Sequence, residues 1–326
     1  MMMMLFSLFS ATLFALVGGV FSSSASATSS AASSAASPAA YLPLSLTLED
    51  LEGGTRNEEL IQALQKNGII SIVGGYRSEK ELALDEFCQC QAAHRDDFTR
   101  LIPSTQEIAL EDGMTKRTTL ASATVGDDMP LALDEKVEAI CGSPAAEAME
   151  DLRDSVSAVS QAFIKAIDQI ALPSQSPILH DIYGQPYSSM SSIIKSATHL
   201  EHFHIYEKAA VSTAHGNHQD TLQGSHQDTK TLDFHTDAGL FLVFVPGYNC
   251  QGDNRSDSNS FWIRDAEGQA LPVKFSHDTQ AVVMLGAGAE RWLKTSIPLK
   301  ATQHAVTMQP GQRRAWYGKS KLSVYS

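Results

Sequence analysis

The sequence has no charged side chain before Glu49 and only four cysteines in 326 residues. It also lacks a Gly-rich phosphate loop, a G-x-S-x-G elbow and a C-x-x-C pair, which argues against nucleotide chemistry, serine hydrolysis and dithiol redox catalysis. Basic residues are few: 24 Lys and Arg stand against 37 Asp and Glu, giving a net charge of -13 with no basic run to reverse the field locally. Such a surface repels phosphate, so neither nucleic acid nor an anionic membrane surface is expected as a partner. Cys88, Cys90, Cys141 and Cys250 are too few and too unevenly spaced for a disulfide scaffold or a structural zinc module. The Cys88-x-Cys90 pair reads as packing residues on a helix.

What is present is the composition of an ordinary globular protein, 43% apolar and 19% charged. A chain this long buries about three quarters of its unfolded surface. Residues 5–21 are almost unbroken apolar sequence, and an A-x-A-like site closes at Ala27. Residues 1–27 therefore read as a secretory signal peptide. An uncleaved anchor is the competing reading, although about 17 residues fall short of the roughly 20 needed to span a bilayer. A bipartite plastid leader is the third. The expected location is the secretory pathway or outside the cell, with no stable membrane domain unless this segment is retained. Residues 28–40, rich in Ser and Ala, read as a linker.

Residues 41–189 read as an N-terminal helical segment. A short strand at 42–48 precedes a helix capped by Asn57, with Glu58 and Glu59 in its first turn, Leu60, Ile61 and Leu64 inward, and Gly68 at its end. Residues 69–73 form a β-branched strand. Met149, Leu152, Val156, Val159, Phe163, Ile167 and Ile170 recur at helical spacing, so 146–171 is one long amphipathic helix. After residue 190 the period becomes two, with β-rich runs at 192–206, 231–234, 240–245, 261–264, 271–275, 281–285, 301–308 and 314–317. Short strands between turn residues describe an antiparallel sandwich or barrel. The polar insertion at 207–230 holds two near-copies, around His218 and His226, and reads as a mobile loop.

His235-Thr236-Asp237 puts an imidazole and a carboxylate on one face of a strand, and His304 lies on a later β run. Two His and one carboxylate form the facial triad of non-haem Fe(II) oxygenases, and tetrahedral zinc is the chemical competitor. His202 and His204 share a strand face and with His235 would make a rival three-histidine site. Ten residues past His304, Arg314 offers a planar, permanently charged fork suited to a carboxylate, while the adjacent Arg313 is expected to face outward.

Taken together, His235, Asp237, His304 and Arg314 resemble the H-x-D, H and R-x-S pattern of the isopenicillin N synthase-like, plant-type 2-oxoglutarate/Fe(II) dioxygenases. Residues 42–73 are similar to that family's N-terminal segment, and 200–206 to its Asn-x-Tyr strand, with His204 and Tyr206 in those two places. The resemblance implies a mainly β fold: a double-stranded β-helix, or jelly-roll, core at 190–326 with packed N-terminal helices. It implies Fe(II) on His235, Asp237 and His304, and 2-oxoglutarate as co-substrate held by Arg314, Tyr206 and His204. It implies O2 as oxidant, ascorbate as a support for activity, and hydroxylation or desaturation of a small-molecule substrate with release of succinate and CO2. Trp316 stands where the family has serine, and the interval from Asp237 to His304 is long. The chain stops at Ser326, soon after the arginine, so a truncated C-terminus and an exposed edge at the Arg314 strand are expected. The reading from a different class is a catalytically silent, secreted metal-binding or interaction protein on the same fold.

Overall fold

The structure, a computed structural model, describes residues 40–74, 77–102, 105–125, 134–171, 177–180, 183–210, 230–251 and 260–321. The expected signal peptide, nearly all of the linker and most of the duplicated insertion lie outside the described residues. The chain starts with strand β1 (Leu44–Leu46) and helix α1 (Leu48–Gly53), whose N-terminus is a capping box. The Asp50 N–H donates to Thr47 Oγ1 at 3.1 Å, and the Thr47 N–H donates to the Asp50 carboxylate at 2.9 Å. Helix α2 (Asn57–Lys66) has Asn57 as its first helical residue, with Arg56 in the cap position. Gly68 at φ 68° turns the chain into β2 (Ile69–Val73), and a Cβ there would sit 1.9 Å from the Lys300 carbonyl oxygen. Glycine alone fits that approach.

Helices α3 (Arg77–Ala93) and α4 (Arg95–Leu101) follow, then a hairpin of β3 (Thr105–Ala109) and β4 (Thr115–Val125), then α5 (Asp134–Cys141) and α6 (Ser143–Ile170). After the small pair β5 (Leu179–His180) and β6 (Pro186–Tyr187) come α7 (Met190–Ser196) and β7 (Thr198–Lys208). The remainder runs β8 (Leu232–His235), β9 (Phe241–Phe244), β10 (Tyr248–Asn249), β11 (Phe261–Arg264), β12 (Ala270–Pro272), β13 (Thr279–Leu285), α8 (Ala287–Trp292), β14 (His304–Val306) and β15 (Arg313–Lys321). The strands form a large sheet of order β1-β2-β13-β9-β15-β7-β4-β3, with β10 also on β15, and a smaller sheet of order β12-β11-β14-β8. This is a mainly β double-stranded β-helix with packed helices. Among the described residues no helix is long and apolar enough to cross a membrane.

Period-two alternation divides the large sheet into two chemistries. Phe203, Ile205, Phe241, Val243, Ala281, Val283, Ala315 and Tyr317 face the helices and join one core with Val156, Val159 and Phe163 of α6. Their neighbours Leu242, Phe244, Val282 and Met284 face inward against Phe261 and Ile263 of the smaller sheet. The rings of Phe163 and Phe241 meet edge-on at 5.1 Å. Burying a side chain of that size contributes about 1.5–3 kcal/mol.

Three expectations are corrected here. The hairpin β3–β4 lies within the segment expected to be helical. Residues 192–196 belong to α7, where Ser189 and Ser192 form a capping box that overrides the β preference of Ile193 and Ile194. The strand bearing Arg314 is no edge, because β15 pairs with β7 on one side and β9 on the other.

The cysteines are corrected as well. Residues i and i+2 of a helix point to nearly opposite sides, so Cys88 and Cys90 of α3 find different partners. Cys88 pairs with Cys250 after β10, and Cys90 with Cys141 at the end of α5, with Cα–Cα separations of 5.6 and 5.4 Å. Reduction of both bridges is expected to lower stability by about 2–4 kcal/mol each. Urea midpoints with and without reductant, compared with a Cys250→Ser variant, measure this.

Candidate active site

The smaller sheet brings two histidines together. In the β8–β14 pairing His304 lies directly opposite His235, and their rings are 4.3 Å apart. Each ring is turned by a backbone carbonyl two residues earlier in its own chain. His235 Nδ1 donates to the Asp233 oxygen at 2.7 Å, and His304 Nδ1 to the Thr302 oxygen at 3.3 Å. Both Nε2 atoms are thereby left as lone-pair donors, the tautomer a metal ligand needs.

Asp237 follows just beyond the end of β8. Its backbone is clamped by the start of α8: Ala287 N–H donates to the Asp237 oxygen at 2.7 Å, and Gly288 N–H to the Gly239 oxygen at 3.0 Å. A Cβ at Gly286 would lie 2.2 Å from the Gly239 oxygen and 2.9 Å from that of Asp237, so the clamp requires glycine. His235, Asp237 and His304 form a cluster in which one ligand atom from each lies within 4.8 Å of the others. Two imidazole nitrogens and a carboxylate oxygen suit a borderline divalent ion such as Fe(II) or Zn(II). Asp237 and His235 retain 31% and 43% of their side-chain exposure, which gives them room to close on it.

The cluster opens into a cavity of about 500 Å³ whose floor is laid by β15, β7 and β4. Register places Arg314, Tyr206 and Arg117 in one row, Trp316, His204 and Thr119 in the next, and Gly318, His202 and Ala121 in a third. Arg314 is buried, donates to Ser260 Oγ, and lies flat on Gly247, where a Cβ would fall 1.8 Å from its Nε. The Trp316 indole lies over Gly318, where a Cβ would meet the ring at 2.5 Å, and stacks on His202 and His204 at 5.0 and 5.1 Å. Arg313, on the other face, is not the expected surface arginine. It bonds Glu207 at 2.8 Å and the Cys88 carbonyl of α3 at 3.0 Å.

Burial keeps the floor imidazoles neutral. His202 is pushed down to about 4, mainly by burial with the Arg117 charge adding to it, and His204 falls well below the usual range for the same reasons and through the neighbouring His202. Burial also lowers His304, partly opposed by the Asp237 charge. Tyr206 is raised by burial against the opposing Arg117 and Arg314 charges.

Thus Arg314, Tyr206 and His204 share one cavity with His235, Asp237 and His304. His202 and His204 lie on the floor of that cavity, and among the described residues neither joins the ligand cluster. Sequence reasoning missed Arg117, Thr119 and Gln106, which enter from the unforeseen hairpin, and Ser260.

No family model matches the sequence, and no curated protein matches it. Solved structures do. A dioxygenase for auxin oxidation from Arabidopsis thaliana, in a binary complex with 2-oxoglutarate, superposes with TM-score 0.57 at 14% identity, over 86% of this chain and 92% of that one. A 2OG-Fe(II) oxygenase family protein from Caulobacter crescentus gives 0.55 at 12%, over 88% of each chain. A full-length Neurospora crassa protein, in complex with alpha-KG and 5-formyluracil, gives 0.52 at 11%, over 86% of this chain and 84% of that one. The chain therefore has the fold of the 2-oxoglutarate/Fe(II) oxygenases.

Gly286→Ala is expected to displace Asp237 and weaken Fe(II) binding about tenfold or more, as disturbing the support of a metal ligand does. Metal titration against a Gly113→Asn control, at an open turn with nothing within 4 Å, checks it.

Proposed function

We propose that the protein is an oxidoreductase that uses Fe(II), 2-oxoglutarate and O2 to hydroxylate or desaturate a small organic substrate, releasing succinate and CO2. The observation that carries this reading is the convergence of His235, Asp237 and His304 on one cavity whose floor holds a buried arginine. The fold shared with the oxygenases of known structure supports it. Bound iron would supply the activation of O2 and the oxidative decarboxylation of the co-substrate.

The residues of the chain do the rest. His235, Asp237 and His304 would hold the metal through two imidazole nitrogens and one carboxylate oxygen. Arg314, fixed by Ser260 and Gly247, takes the distal carboxylate of 2-oxoglutarate, and the Tyr206 hydroxyl beside it donates a second bond. His204, neutral and hydrogen-bonded to Thr119 Oγ1 at 2.8 Å, lines the co-substrate with the Trp316 indole rather than with a serine hydroxyl. Phe244, Phe261 and Phe275 exclude water from the reacting carbon. The finer placement, with the isopenicillin N synthase-like, plant-type members, is supported by the H-x-D pair, by the ten residues from His304 to Arg314 and by the β1–α2–β2 start. The secretory location is supported by the A-x-A-like leader together with two disulfides, which persist in oxidising compartments.

Succinate formation from 2-oxoglutarate with Fe(II) and ascorbate tests the proposal, and Asp237→Ala is expected to abolish it. A wild-type protein that forms no succinate under these conditions overturns it in favour of the silent metal-binding reading. Arg314→Leu is expected to raise the KM for 2-oxoglutarate at least about tenfold, the worth of one charged hydrogen bond. Arg313→Leu is expected to lower the unfolding midpoint instead, because its partners lie on α3 and Glu207.

A further inference from the structure

Arg117 occupies the same row of the pocket floor as Arg314, on the far side of Tyr206, and the two arginines sit in different surroundings. Arg314 is buried on the β10 side and bonded to Ser260. Arg117 is half-buried opposite the exposed Ile108 of β3, two residues along that strand from Gln106, and its Nε is buried with no hydrogen-bond partner. Tyr206 is its hydrogen-bonding neighbour. The carboxylates nearest to it along the sheet are engaged elsewhere: Glu107 with Lys116, Glu207 with Arg95 and Arg313, and Asp112 with Lys208. Among the described residues the cavity holds one carboxylate, Asp237, and that belongs to the metal-ligand cluster, so the desolvation of Arg117 is offset best by an incoming anion.

Charge counting agrees. With a divalent ion on the triad and dianionic 2-oxoglutarate on Arg314, the charges of Asp237, Arg314 and Arg117 leave the pocket one positive charge in excess. The remaining walls near the rim, Leu232, Phe275 and Val306, are apolar. A cavity of about 500 Å³ has room for a second small molecule beside the co-substrate.

We propose that Arg117 is a specificity-determining residue that anchors the carboxylate of the organic substrate, which is a monocarboxylic acid with an apolar body. This rests on the oxygenase reading and assigns its substrate class. The planar fork matches a carboxylate bidentately, and the rim position lets the apolar remainder extend over the phenylalanines towards the metal.

The test uses benzoate as the probe carboxylate and benzamide as its neutral isostere, titrated calorimetrically into the full chain loaded with Fe(II) and 2-oxoglutarate under nitrogen. Benzoate is expected to bind at least tenfold more tightly than benzamide. Arg117→Gln is expected to lose at least tenfold in benzoate affinity, Arg117→Lys to lose less, and neither to change benzamide binding. The loss of benzoate affinity should exceed any rise in the KM for 2-oxoglutarate by at least fivefold. No benzoate binding to the wild type, or equal binding to the wild type and both variants, overturns the proposal. So does a KM shift as large as that of Arg314→Leu, which would place both arginines on the co-substrate. If the wild type forms no succinate yet binds benzoate through Arg117, the oxygenase reading fails while the anion site stands.

Discussion

The pairing register of β7 with β15 is the constraint on which the rest of the molecule depends. These two strands share the centre of the large sheet, and His202, His204 and Tyr206 of one and Arg314, Trp316 and Ser320 of the other line the cavity. A slip of one residue would turn that whole set towards the helices. What opposes the slip is a group of charges buried on the other face. Glu201 accepts from Arg153 Nε of α6 at 2.5 Å and from Tyr317 Oη at 3.0 Å, while its register partner Lys319 reaches Ser157 Oγ at 2.7 Å. Buried pairs of this kind add little net stability, but breaking one strands a charge. They fix which way the strands face.

The side that carries His235, Asp237 and His304 is organised differently. Its histidines sit on short strands, and their orientation comes from local carbonyls and from the glycine clamp on Asp237 rather than from a deep core. One wall of the cavity is thus set by long-range sheet register and the other by backbone hydrogen bonds within a few residues. Gly247 and Gly318 lie against the side chains of Arg314 and Trp316, and Gly286 lies against the backbone of Asp237 and Gly239; each leaves room that no other residue could.

Much of this was legible in the sequence, for reasons that differ by residue. The long helix showed itself because its apolar positions all face one core. That His235, Asp237, His304 and Arg314 meet at one cavity was legible because the side chains and strand spacings that suit metal and carboxylate chemistry also set them on one face. The hairpin bearing Arg117 was not, because its inward face brings Arg117, Thr119 and Ala121 to the cavity and its other face is buried largely through Thr118 and Thr124, with Leu120 joining the core, so the Thr-rich run at 115–125 shows no apolar alternation. The disulfides were hidden because Cys88 and Cys250 are 162 residues apart, and only the finished sheet brings them together. Trp316 looked like a missing hydroxyl, and its flat seat on Gly318 has no sequence signature.

Helix α3 is tied on two opposite sides. Cys88 joins it to the end of β10 and Cys90 joins it to α5, while Arg313 grips the Cys88 carbonyl from the strand beneath. Crosslinks on opposite sides oppose both rolling of the helix about its axis and sliding along the sheet. Because the Cys250 N–H donates to the Arg313 carbonyl at 3.0 Å and Asn249 pairs with Arg314, the first of these ties makes the helix and the backbone at Arg314 move as one body.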